Sequence, residues 1–145
     1  EIKYDVMIFV DARKTDHLIP SEKISDILNS LCNDGYSILV VSGRESSQRI
    51  SELNINPGSG VEFAYSPPLD ELIRLIKQSK SVIVANTGIM HLSVALGTPT
   101  CGIFVNANPY VWGYQMNPHL MIDAREKGID INQVVNFVRC SITKF

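Results

Sequence analysis

The chain has 145 residues, 45% hydrophobic and 19% charged, with a formal net charge of -2. That is enough chain for one core of its own, and it carries no basic excess that would point to nucleic acid or an anionic membrane as partner. No apolar run approaches the roughly 18 residues that cross a bilayer, and no signal peptide is visible. The widely spaced Cys32, Cys101 and Cys140 suit reduced thiols better than disulfides or a metal site, so a cytoplasmic placement is expected.

The chain opens on Glu1 rather than Met and its first strand begins at Tyr4, so it reads as part of something longer. Tyr4 to Val10 (Y-D-V-M-I-F-V) is a buried strand. A polar, partly basic loop covers residues 11–17. Pro20 and Ser21 then open an amphipathic helix with Ile24, Ile27, Leu28 and Leu31 on one face, closed by Gly35. No glycine separates Val10 from that helix, so the Gly-x-Gly-x-x-Gly dinucleotide fingerprint is absent, which argues against NAD. Arg13 and Lys14 are either solvated loop charges or partners for a diphosphate.

Ser37 to Ser42 is the second strand, with Gly43-Arg44-Glu45 at its carboxyl end and a short helix from Ser46 to about Leu53. Asn54 to Gly60 is loop chemistry, Val61 to Tyr65 a short third strand, and Ser66-Pro67-Pro68 its turn. The helix from Leu69 to Ser79 is expected to turn Leu69, Leu72, Ile73 and Ile76 inward.

Ser81 to Ala85 (S-V-I-V-A) suits a strand buried on both faces. Asn86 or Thr87 can cap the next helix with a side-chain oxygen, and Gly88 lets a ligand approach the backbone. Leu92, Ala95 and Leu96 supply its apolar stripe, Gly97 and Thr98-Pro99 end it, and Thr100 to Val105 is the fifth strand. His91, about one turn in from Gly88, can point back at the helix start or simply pack. Asn106 to Tyr114 is a loop with three aromatics, in which Asn106 and Trp112 can wall a base or sugar, pack on the sheet or meet a partner domain. Leu120 to Asp123 is an edge-strand candidate. Asp130 to Gln133 caps a last helix bearing Ile131, Val134, Val135 and Val138.

This alternation predicts an α/β fold: a doubly wound, mostly parallel sheet of five or six strands with helices on both faces. Lys14, His17, Glu45, Thr87, Gly88, His91 and the Asn106–Trp112 loop all fall at strand carboxyl ends, where ligands bind in open α/β sheets. A helix N-terminus there is suited to an anion.

The stretch from Asn86 to Pro99 resembles the signature of the heptosyltransferase-like glycosyltransferases (glycosyltransferase family 9), a pattern close to Asp-Thr-Gly-x-x-His-x-x-x-Ala-x-Gly-x-Pro. Thr87, Gly88, His91, Ala95, Gly97 and Pro99 match, and Asn86 stands at the Asp. The likeness is clearest from Leu69 to Trp112. It implies a Rossmann-like domain over residues 1–145, the second half of a two-domain GT-B enzyme, which binds a nucleotide diphosphate sugar such as ADP-heptose. A sugar, heptose or related, would pass to a lipopolysaccharide or other surface-glycan acceptor, with no metal or other cofactor. The acceptor and the catalytic base would lie in an N-terminal domain, which would also hold the enzyme at the inner face of the bacterial inner membrane. The isolated chain would then bind donor without turnover.

Residue by residue, the resemblance places donor and phosphate contacts at Asn86, Thr87, Gly88 and His91. The family's phosphate-binding Lys falls near His17, with Lys14 three residues upstream, and its acidic sugar-holding position falls on Glu45. The Asn86 and His17 departures leave two alternatives open: a non-catalytic nucleotide-binding or regulatory domain, or an epimerase-like phosphate-handling enzyme.

Overall fold

The computed structural model describes residues 1–43, 48–55 and 60–143. Six strands, β1 (Val6–Phe9), β2 (Ile38–Ser42), β3 (Val61–Tyr65), β4 (Val82–Ala85), β5 (Thr100–Phe104) and β6 (Leu120–Asp123), form one sheet in the order β3-β2-β1-β4-β5-β6. Every neighbouring pair is parallel, with Val6 beside Ile38 and Met7 beside Val82 across the two sides of β1. The chain therefore winds outward from β1 to one edge, returns to β4 and winds to the other. The connections leaving β1 and β4 diverge, opening a crevice at the carboxyl ends of these strands.

The strands alternate between two apolar layers. Val6, Ile8, Ile38, Val40 and Ile83 meet helices α1 (Ser21–Asn33) and α6 (Ile131–Thr143) on one face. Met7, Phe9, Leu39, Val41, Val82 and Val84 meet α3 (Leu69–Lys77) and α4 (Gly88–Ala95) on the other. Helix α1 forms because Ile24, Ile27, Leu28 and Leu31 recur on one stripe, and all four are buried. Each such side chain contributes roughly 1.5–3 kcal/mol through burial. The helix ends where Gly35 adopts φ +81°, a conformation that favours glycine. Asp130 opens α6, its Oδ1 accepting from the Asn132 amide at 3.0 Å.

The expected α3 stripe is corrected at its start. Leu72, Leu75 and Ile76 are buried, Ile73 is half-buried, and Leu69 is 64% exposed. Leu69 is the first residue of a helix that begins beyond the end of β3, one turn before Leu72 reaches the sheet. In α4 the inner face carries Met90 and Ser93, while Leu92 and Leu96 are half-buried and Ala95 is exposed. A polar residue on the buried face hid the helical period. Ser93 is tolerated there because its hydroxyl lies 2.7 Å from Thr100 Oγ1, which itself donates to the Thr98 carbonyl at 2.7 Å. The Asn106–Tyr114 loop contains a further helical turn, α5 (Pro109–Trp112), opened by Asn108, whose Oδ1 accepts from the Tyr110 amide. Another short helix, α2 (Gln48–Ser51), precedes β3.

Candidate functional site

A cavity of about 570 Å³ opens at the carboxyl edge of the sheet, on the side of α3 and α4. Four connections build its wall: Asp11, Ala12 and Arg13 after β1, Ser42 and Gly43 from β2, Ser66 to Leu69 after β3, and Thr87 to Ile89 after β4. Its size lies within the range of about 300–1,000 Å³ usual for small-molecule sites. Asp11 is buried, and its Oδ2 accepts from the Gly43 amide at 2.6 Å, tying the β1 connection to the β2 connection.

Thr87 is the N-cap of α4, with extended φ −144° and ψ 171°. Its hydroxyl points back to the Ala85 carbonyl at 3.3 Å, not onto the first-turn amides. The expected side-chain cap by Asn86 or Thr87 is therefore absent, the Thr87 hydroxyl being spent on the carbonyl of the strand's last residue. The start of the helix faces the cavity beside Gly88, where no Cβ obstructs approach to the backbone.

Arg49, on α2, fixes the loop between β1 and α1. Its guanidinium donates to the Val10 carbonyl through Nε (3.1 Å) and Nη2 (2.9 Å), to the Ile19 carbonyl through Nη2 (2.5 Å), and to Ser21 Oγ through Nη1 (2.9 Å). One side chain thus pins both ends of the loop. Burial lowers the Arg49 pKa, opposed by the attraction of Asp11 and then of Glu52. Within the loop, Thr15–His17 forms a 3₁₀ turn capped by Lys14. His17 Nδ1 lies 3.3 Å from the Asn86 carbonyl, which can only accept, so this nitrogen carries the proton. Asn106 donates through Nδ2 to Asp16 Oδ2 at 2.7 Å. The β1, β4 and β5 connections are thereby linked across the point where the winding reverses.

His91 lies apart from the cavity. Ile89 lines the cavity, and two residues further along α4 is about 200° around the helix. His91 therefore faces the β5–β6 side, its Nδ1 2.6 Å from the Tyr114 hydroxyl and its ring edge-on to the tyrosine. Tyr114 in turn leans on His119, whose Nδ1 accepts from the Thr100 amide at 3.2 Å. Burial lowers the His119 pKa, in keeping with a neutral ring accepting there. Tyr110 and Trp112 project from α5 and are exposed.

The candidates thus divide. Thr87 and Gly88 line the cavity, His17, Asn86 and Asn106 join the loops beside it, His91 stands on the far side of α4, and Trp112 is exposed on α5 outside the lining. Lys14 is exposed outside the cavity lining, and Glu45 lies outside the described residues. Asp11, Arg49 and the Ser66–Leu69 wall were not foreseen as site residues. A lone carboxylate just past a buried strand was the available signal for Asp11. Among the described residues no group of three or more His, Cys, Asp or Glu side chains could hold a metal ion, and no helix is long and apolar enough to cross a membrane.

Comparison with known proteins bears on the family and the fold. The family pattern described as "Glycosyltransferase family 9 (heptosyltransferase)" matches residues 3–133. Lipopolysaccharide heptosyltransferase 1 of Escherichia coli strain K12 is 24% identical over 131 residues, which are 90% of this chain and 41% of that protein. Among solved structures, E. coli heptosyltransferase WaaC with ADP superposes with a TM-score of 0.78 at 20% identity, over 94% of this chain and 43% of that one. E. coli ADP-heptose lps heptosyltransferase II gives 0.82 at 15% identity, over 96% and 46% respectively. A glycosyl transferase family 9 protein from Veillonella parvula DSM 2008 gives 0.80 at 15%, over 97% and 46%. These superpositions establish a shared fold. The chain spans less than half the length of each of these relatives.

Proposed function

The chain belongs to glycosyltransferase family 9, and from that premise we propose that it is the nucleotide-sugar-binding half of a two-domain enzyme, with the acceptor held by an N-terminal half. The observation that carries this reading is the cavity at the winding reversal, whose wall includes the Thr87-Gly88 start of α4. The nucleoside occupies the cavity, the diphosphate lies over the start of α4, and the sugar extends toward His91, Tyr114 and Trp112. ADP and ADP-heptose are the first ligands to try, since solved relatives hold ADP and ADP-2-deoxy-2-fluoro heptose.

In transfer, an acceptor hydroxyl forms the new bond to the sugar's anomeric carbon as the bond to the diphosphate oxygen breaks. Negative charge grows on the leaving diphosphate, and the first-turn amides of α4, at the edge of the cavity, are the donors that stabilise it. The acceptor's proton goes to a base that this chain does not supply, so the chain alone binds donor without turning it over. The glycan acceptor is lipopolysaccharide or a related surface glycan, met by the longer protein at the cytoplasmic face of the membrane.

Asn86, in place of the motif's Asp, favours a second reading: a nucleotide-binding domain without transfer activity. Thermal denaturation with ADP, UDP, GDP and their sugar conjugates tests nucleotide binding, because a ligand of the native state raises the midpoint by mass action. Stabilisation by the adenine compounds is expected, and a flat response to all of them at millimolar concentration refutes the proposal. Sugar transfer by the longer protein separates the two readings.

A further inference from the structure

We propose that Arg13 is the cation that receives the diphosphate, in place of the Lys14 or His17 that the family pattern indicates; this rests on the nucleotide-binding reading above. Among the described residues the cavity lining contains two ionisable side chains, Asp11 and Arg13. Asp11 is buried, bonded to the Gly43 amide and attracted to the buried Arg49 guanidinium, and a carboxylate does not receive a diphosphate. Arg13 is exposed and makes no ion pair among the described residues, unlike Arg74 with Glu71 and Arg125 with Asp123. Among the described residues its charge is the unbalanced one at the cavity.

The two alternatives are poorly placed. His17 commits its Nδ1 proton to the Asn86 carbonyl, and neither His17 nor Lys14 reaches the lining. Arg49 holds Val10 and Ile19 at the two ends of the loop, which restrains it with Arg13 toward the cavity. The same lining presents Thr87 and Gly88 at the start of α4. A diphosphate there meets backbone amides from the helix and a planar guanidinium whose fork can grip two phosphate oxygens. The position matched by the family's Lys has become a structural His, and the cationic role has moved four residues upstream.

The test is calorimetric titration of wild type, Arg13→Gln, Arg13→Lys, Lys14→Ala and His17→Ala with ADP and with adenosine. Arg13→Gln is expected to weaken ADP binding by about tenfold or more, the worth of one charge-assisted contact, and to leave adenosine binding as in wild type. Arg13→Lys should restore part of the loss, because the charge returns without the fork. The salt dependence of ADP binding should also flatten in Arg13→Gln. Equal ADP affinity for wild type and Arg13→Gln, or a larger loss in Lys14→Ala or His17→Ala, overturns the assignment while the nucleotide site stands. Wild type that binds neither ADP nor adenosine overturns the nucleotide site itself, and Arg13 with it.

Discussion

Replacing Arg49 with Met removes every donor of that side chain while keeping its length and apolar stem. Among the described residues the guanidinium makes four hydrogen bonds, two to the Val10 carbonyl and one each to the Ile19 carbonyl and Ser21 Oγ. Two buried carbonyls lose their side-chain donor, at about 1–3 kcal/mol each. The variant also escapes the burial penalty on a cation, the same penalty that lowers the Arg49 pKa, and this returns part of the loss. The net expectation is a destabilisation of about 2–4 kcal/mol, or roughly 5–15 °C in melting midpoint for a chain of this size. Urea denaturation followed by far-ultraviolet circular dichroism measures it. Hydrogen exchange of the loop amides over residues 11–18 should quicken in parallel, since both ends of the loop are released. Arg49→Lys should recover less than half, because an ammonium cannot reach both carbonyls with one fork. If Arg49→Met unfolds within about 0.5 kcal/mol of wild type, the bonds are not net stabilising and the loop is held by something else.

Thr87→Ala should leave stability within about 0.5 kcal/mol, since Thr87 does not cap α4, whereas Asp130→Ala should cost about 1 kcal/mol by uncapping α6; equal losses in chemical denaturation would contradict the capping geometry. Burial pushes the Cys101 thiol up to about 12. The folded state therefore keeps a proton that an unfolded thiol releases above about pH 8.5, so this contribution is intact below that pH and lost as pH rises toward 12, at up to about 1.4 kcal/mol per unit. Cys101→Ala should flatten the alkaline fall in stability between about pH 8.5 and 10, and an unchanged slope would show that the thiol is not its source. At Gly113 an added Cβ would sit 2.7 Å from the Pro109 carbonyl and 2.9 Å from Met121 Cγ. Gly113→Ala should therefore lower the melting midpoint by the equivalent of about 1–3 kcal/mol, and an unshifted midpoint would mean that α5 moves freely.

The alternation of apolar strands and amphipathic helices made the α/β class legible, because fully buried strands such as Val82–Ala85 read as continuous apolar runs. Strand limits fell within two residues of prediction, as at β1, where Tyr4 makes only an isolated bridge to Ser79. The misplacements share one cause. Leu69 and Ala95 are apolar residues where the helix does not meet the sheet, and Ser93 is a polar residue where it does. Hydrophobic period reports which residues could be inside. It does not report where the sheet ends or which hydroxyl finds a buried partner.

Apart from Arg13, the candidate site was legible along one wall only. The Thr87-Gly88 signature marks the start of α4, but the opposing wall comes from Asp11–Arg13, Ser42-Gly43 and Ser66–Leu69, three connections separated in sequence. They face α4 because the sheet order sets β3, β2 and β1 on one side of β4, and strand order leaves no local trace in composition or period. The same reason governs His91. Its spacing of three residues from Gly88 aims it at the helix start, yet the cavity lies on the Ile89 side of α4 and Tyr114 on the other. A ligand that touches both the cavity and His91 must therefore cross the N-terminus of α4, and the group best suited to that crossing is an anion. A diphosphate with a nucleoside at one end and a sugar at the other has that shape. A nucleoside monophosphate would fill the cavity and stop short of His91. His91→Ala should accordingly weaken a nucleotide-sugar more than it weakens AMP, and equal losses for the two would place His91 outside the ligand's path.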